Sequence, residues 1–136
     1  MDLELHARVR LTSEDAAWPI ESALQDRSGT GWRAAQPGPQ TIWIDFDAPQ
    51  AIHEIKLRFE ATERRTQEFV LLWSNDGGRS YREIVRQQFN FSPDATPTQE
   101  ETYFPRLTGV TGLKLTIIPD ISGGDAPATL RALRIR

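Results

Sequence analysis

The side chains that could carry out acid–base or metal chemistry are few and widely spaced in this sequence. The two histidines, His6 and His53, each fall in an alternating apolar–polar segment and have no partner at metal-ligand spacing. Carboxylates that a glycoside hydrolase could use as a pair are Asp45, Glu100, Glu101, Asp120 and Asp125. Such a pair is defined by its separation in space, which a sequence does not reveal. We therefore expect no catalytic residues and keep glycoside hydrolysis as a distant third alternative.

Composition and missing motifs exclude or disfavour several further classes of function. The 136 residues suit a single domain spanning residues 1–136, and the absence of cysteine excludes disulfides, thiolate zinc sites and cysteine nucleophiles. There is no nucleophile elbow, phosphate-binding loop or dinucleotide fingerprint. A net charge of −3 disfavours a nucleic-acid partner held by a global positive field.

The N-terminal segment has no basic stretch followed by an apolar run, and no later segment approaches the ~20 apolar residues that a membrane-spanning helix needs. We therefore expect no membrane partner and a cytoplasmic location.

Periodicity predicts an all-β chain. Residues 69–73 are apolar on both faces, which predicts a strand with neighbours on both sides, and Pro19 limits residues 16–25 to a short helical turn. Turn-rich loops are expected at 26–38, 62–67, 90–97 and 119–127, and residues 48–50 are expected to form a connection. About eight strands are predicted, at 3–11, 41–47, 52–59, 69–73, 81–88, 102–104, 112–118 and 130–135. This pattern favours an antiparallel β-sandwich or jelly roll.

Four segments, taken in order, resemble the discoidin or coagulation-factor C-type domain. They are ALQD with GTGW (23–32), QTIWIDF (40–46), IHEIKL (52–57) and WSNDG (73–77). The resemblance covers about residues 12–135. It implies a galactose-binding-like jelly roll, a fold also used as a carbohydrate-binding module appended to glycosidases. Residues 74–81 are also similar to the Asp-box turn of sialidases, in which an Asp side chain bonds the turn backbone, and we interpret them as structural.

The resemblance also implies a structural calcium site, for which Asp26 and Thr30 match the family positions. The family's last strand adds a glutamate, but Ala132 stands at that position here, with arginines beside it. Loss of a charged ligand beside added positive charge weakens calcium binding. We therefore expect no metal or other cofactor, and either no site or an arginine interaction with Asp26 in its place.

Sugar-binding members of the family use loop aromatics together with Arg, Asn or His at one end of the sandwich. By that resemblance the candidate ligand-binding residues are Trp18, Arg33, Arg64, Arg65, Asn90, Phe91 and Tyr103. Trp32 is instead expected to be a buried plug at one end of the sandwich, with an indole N–H that needs a partner.

These observations favour a noncatalytic module that binds a carbohydrate or polyol. The alternative is a domain that binds a protein partner, or itself, through a sheet face or the Phe91 loop. Residues 32–35 and 41–42 also resemble the N-terminal domain of a scaffold protein of DNA single-strand-break repair, but the acidic pI of 5.4 counts against DNA. The oligomeric state stays open.

Overall fold

The structure, a computed structural model, describes residues 1–25 and 29–136. In these ranges two four-residue helices and ten strands are found. They are α1 (Leu3–His6), β1 (Ala7–Leu11), α2 (Glu21–Leu24), β2 (Trp32–Pro37), β3 (Gln40–Ile52), β4 (Ile55–Glu60), β5 (Arg65–Ser74), β6 (Arg82–Phe91), β7 (Thr98–Tyr103), β8 (Leu107–Ile118), β9 (Pro127–Leu130) and β10 (Ala132–Ile135). Neither of these helices is long enough to cross a bilayer.

The strands form three antiparallel sheets. The largest has the order β1-β3-β8-β5-β6, the second has the order β10-β4-β7, and β2 pairs with β9 in the third. The all-β sandwich expected from the periodicity is confirmed, as is the short helical turn within residues 16–25.

The core lies between the five-stranded and three-stranded sheets. In β3, Ile42 and Ile44 are buried while Trp43 between them faces outward, because successive side chains of a strand point to opposite faces. Phe59 of β4 and Phe69 of β5 bring the two sheets together, with ring centroids 5.2 Å apart. The period of two in the sequence therefore selects which face of each sheet is apolar.

Strand β5 lies between β8 and β6, which confirms that it is not an edge strand. Phe69, Val70 and Leu71 are all buried, so this strand is covered on both faces.

Several expected boundaries were wrong. Residues 3–6 form a helix because the Asp2 side chain caps it by accepting from the Glu4 N–H at 3.1 Å, so the first strand begins only at Ala7. Residues 48–50 continue β3 instead of forming a connection. The loops predicted at 62–67 and 90–97 are also shorter, since β5 starts at Arg65, β6 runs to Phe91 and β7 starts at Thr98.

The largest correction concerns the predicted loop 26–38, whose second half is strand β2. It pairs with β9, placing Trp32 opposite Leu130 and Pro37 opposite Pro127. The predicted final strand, 130–135, is in fact divided at Arg131 between β9 and β10, which belong to different sheets. This pairing joins residues about a hundred positions apart, and no local sequence pattern predicts it.

The turn after β5 has the structural role expected of it. Asp76 Oδ1 accepts from the Ser74 hydroxyl at 2.7 Å and from the Ser80 N–H at 3.0 Å. Hydrogen bonds from Ser80 and Ser74 hold the pKa of the Asp76 carboxyl well below its usual range. Gly77 and Gly78 supply the positive φ angles that the turn requires.

Candidate ligand-binding pocket

A concave pocket of about 460 Å³ opens at one end of the sandwich. One side comes from the β2–β9 pair, and the other from the end of β4, the start of β5 and the start of β7. Three of the predicted ligand-binding residues, Trp18, Arg33 and Arg65, line it. The fold therefore brings together side chains from three separate parts of the chain.

Main-chain hydrogen bonds fix the loop that carries Trp18 to strand β2. The Arg33 N–H donates to the Trp18 carbonyl at 3.2 Å, and the Arg33 carbonyl accepts from the Asp15 N–H at 2.9 Å. The Trp18 N–H closes a turn by donating to the Asp15 carbonyl at 2.8 Å. The loop thus pairs with β2 as one short additional segment. The main chain that carries the Trp18 side chain is therefore held in place.

The Trp18 and Arg33 side chains form a cation–π pair. The guanidinium carbon lies 4.4 Å from the ring centroid, and Arg33 Nε is 3.6 Å from Asp15 Oδ2. A partly exposed pair of this kind contributes about 0.5–1 kcal/mol. Both side chains retain some solvent exposure, so the pair is accessible as well as ordered.

Trp32 is the buried plug that the sequence predicted. Its side chain is 1% exposed, and its indole Nε1 donates to the Ser13 carbonyl at 3.2 Å. The Ser13 hydroxyl, in turn, accepts from the main-chain N–H groups of Ala35 and Gln36 at 3.1 and 3.3 Å. The buried Trp32 side chain therefore forms the inner wall of the pocket.

Arg65 has a supporting role in the pocket. Its side chain is 2% exposed, donates from Nη1 to the Pro127 carbonyl at 3.0 Å, and donates from Nη2 to the Thr129 hydroxyl at 3.3 Å. Burial lowers the pKa of this guanidinium, and the nearby carboxylates of Glu63 and Asp120 oppose that effect. Arg65 thus joins β5 to β9 and fixes the shape of the pocket.

Phe91 corrects the expectation of an exposed loop aromatic. It is the last residue of β6, it is 1% exposed, and its ring meets Phe89 edge to face at 4.9 Å. Arg65 covers it, with the guanidinium carbon 5.6 Å from the ring centroid. The ring is therefore part of the core and offers no face to a ligand.

The other three candidates do not line the pocket. Arg64 is exposed beside it, and Asn90 accepts from the Thr66 hydroxyl at 2.7 Å on the outer side of β5 and β6. Tyr103 is at the far end of β7 from Thr98, about 17 Å away at the usual rise per residue, and donates to Gln87. These residues do not form one site with Trp18.

The polar residues of the pocket that sequence reasoning missed include Glu60, Glu63, Thr129 and Arg131. Arg131 lies at the break between β9 and β10, 3.8 Å from Glu60 Oε2. Glu63 is 3.5 Å from Arg65. The sequence signal for Arg131 is the pair of arginines that flank Ala132, which we related to the loss of calcium and to an interaction with Asp26.

The described part of the calcium site does not fit a calcium ion. Ala132 of β10 pairs with Arg58 of β4 and offers no carboxylate, while Thr30 lines the pocket. Within residues 1–25 and 29–136 no group of three or more His, Cys, Asp or Glu side chains is placed to hold a metal. Asp26, the other matching position, lies outside the described residues.

The chain belongs to the F5/8 type C domain family, whose model matches residues 9–132. This confirms the discoidin-type resemblance seen in the sequence. No curated protein sequence matches the chain.

Solved structures share the fold at low sequence identity. A pectin-binding carbohydrate-binding module is 21% identical, with a TM-score of 0.67 over 95% of this chain and 88% of that one. The family 32 module of C. perfringens NanJ, in complex with galactose, is 15% identical, with a TM-score of 0.68 over 95% and 92%. A chain of the complex between reduced XRCC1 and the DNA pol beta catalytic domain is 16% identical, with a TM-score of 0.67 over 96% and 97%.

Proposed function

We propose that this domain is a noncatalytic carbohydrate-binding module whose ligand occupies the pocket beside Trp18 and Arg33. The observation that carries the proposal is the Trp18–Arg33 pair, ordered by main-chain hydrogen bonds and placed in a pocket of about 460 Å³. Small-ligand sites typically have volumes of about 300–1,000 Å³ and combine aromatic walls with a few fixed polar groups.

The chemistry of the pocket suits a sugar. An aromatic ring packs against the C–H groups of a pyranose, and a planar guanidinium donates in fixed directions to hydroxyl or carboxylate oxygens. Arg33 and Arg131 are the partly exposed guanidinium groups of the pocket. The structural neighbours described as pectin-binding and galactose-bound support this ligand class and supply one acidic and one neutral probe.

The carboxylates of the pocket support binding rather than hydrolysis. Glu60 lies between Arg58 at 3.3 Å and Arg131 at 3.8 Å, and Glu63 lies beside Arg65. Both therefore serve as ion-pair partners that order the guanidinium groups around the pocket.

The proposal is tested by affinity electrophoresis in gels containing pectin, galactan or no polysaccharide. Trp18→Ala and Arg33→Ala should each weaken retardation by a binding polysaccharide at least about tenfold, equivalent to ~1.4 kcal/mol. Trp43→Ala is the matched control. Trp43 also packs against an arginine, with Arg10 at 5.1 Å, but it lies on the outer face of the five-stranded sheet.

Retardation of the wild type and the Trp43 variant, with its loss in the two pocket variants, supports the proposal. A folded wild-type protein that is retarded by neither polysaccharide contradicts it. Equal retardation of all four proteins contradicts the assignment of the site.

A further inference from the structure

The guanidinium of Arg134, on the last strand, donates hydrogen bonds to main-chain carbonyls at the C-terminal end of α2 and to the carbonyl of its own neighbour in β10. Its Nη1 donates to the Ala23 carbonyl at 2.8 Å and to the Leu133 carbonyl at 2.9 Å, and its Nη2 donates to the Gln25 carbonyl. Ala23 belongs to α2 and Gln25 is its C-cap. One cation therefore binds carbonyl oxygens from two elements that are far apart in sequence.

These carbonyls have few other ways to be satisfied. The last carbonyls of a helix have no partner within the helix, and α2 consists of only four residues. Ala23 and Leu133 are both buried, so water is largely excluded around them. Hydrogen bonds from a charged donor to such groups contribute more to stability than those between neutral groups.

We propose that Arg134 is a built-in cation that takes over the role of the family's structural calcium ion. A metal ion would draw loop carbonyls toward the last strand; the guanidinium does so through directed hydrogen bonds from a side chain of that strand. Ala132 and Arg134 lie two residues apart in β10 and so project from the same face, on which a guanidinium replaces the carboxylate. The C-terminal end of α2 is thereby anchored to β10 without a metal.

The Arg134 contacts also bear on the response of the domain to calcium, whatever the pocket binds. The stability of the domain is therefore independent of calcium.

The test is thermal unfolding of the whole chain in millimolar calcium and in chelator, for the wild type and for variants. The wild type should melt at the same temperature in both buffers, because a ligand that does not bind the folded state does not stabilise it. Arg134→Met should lower the melting temperature by at least about 5 °C, and Arg134→Lys by less, because lysine keeps the charge but not the fork of donors.

Arg136→Met is the matched control. Arg136 is on the same terminal segment, but its side chain is 75% exposed and lies 3.9 Å from Glu54, so its loss should shift the melting temperature by no more than ~2 °C. A rise of several degrees for the wild type in calcium overturns the proposal, and that arm needs no variant. An Arg134→Met protein that melts with the wild type overturns it as well.

Discussion

Replacing Phe91 by alanine tests the assignment of this ring to the core. The side chain is 1% exposed, packs edge to face on Phe89 and lies beneath the guanidinium of Arg65. It is therefore shielded from ligand and solvent alike.

The expected loss follows from these contacts. Removing a buried phenylalanine side chain costs about 3–5 kcal/mol, which includes the cavity left behind. The edge-to-face contact with Phe89 contributes about 0.5–1.5 kcal/mol beyond area burial, and it disappears with the ring. Because Arg65 also loses the surface on which it rests, we expect a value in the upper half of the 3–5 kcal/mol range.

The assay is urea-induced unfolding followed by tryptophan fluorescence, with Phe104→Ala as the matched control. Phe104 is 67% exposed, so the same chemical change there should alter the free energy of unfolding by less than ~0.5 kcal/mol. A loss below about 1 kcal/mol for Phe91→Ala would refute the reasoning, since it would place the ring at the surface. Should the variant be too unstable to purify, Phe91→Leu gives the same ordering with a smaller loss.

Two further predictions concern pH. The pKa of the Asp76 carboxyl is depressed in the folded state, so this carboxylate stabilises the fold above its ordinary pKa of 3.8, and the stabilisation is lost as the pH falls below that value. Asp76→Asn should therefore flatten the acid side of the curve of stability against pH. An unchanged slope would contradict this. Burial, with a smaller contribution from Glu101, raises the pKa of Tyr103 to about 12, so its contribution is complete below 10 and is lost as the pH rises from 10 towards 12. In a titration followed by tyrosinate absorbance, Tyr103→Phe should remove the step near 12; survival of that step would show that another group produces it.

The sequence could predict the elements whose partners follow from local periodicity. Ile42 and Ile44 alternate with polar residues, and the buried faces of β3 and β4 follow directly. Strand β2 and its partner β9 carry no such signal, because Trp32 pairs with Leu130 across most of the chain. This strand pair forms one side of the pocket, so the geometry of the pocket could not be predicted from local sequence patterns.

Polar residues on an apolar face account for the misplaced candidates. Arg65 and Gln67 share the inward face of β5 with Phe69. Because both are polar, residues 62–67 show no alternation of apolar and polar side chains, and the sequence therefore predicts a loop there. Phe91 was assigned to a loop because residues 90–97 are rich in Asn, Ser, Asp and Pro, whereas β6 continues to Phe91. Trp18 and Arg33 were each singled out from the sequence, but their contact depends on main-chain pairing between a loop and β2.

The most direct test of the central claim is a nuclear magnetic resonance titration of the isotope-labelled protein. An oligogalacturonide and galactose are added separately, and the shifts of the main-chain amides are mapped onto the structure. The account predicts saturable changes at residues 30–33, 60–65 and 128–131 around the pocket. Saturable changes confined to the turn at residues 74–80, or to the outer face of the five-stranded sheet around Trp43, would contradict it.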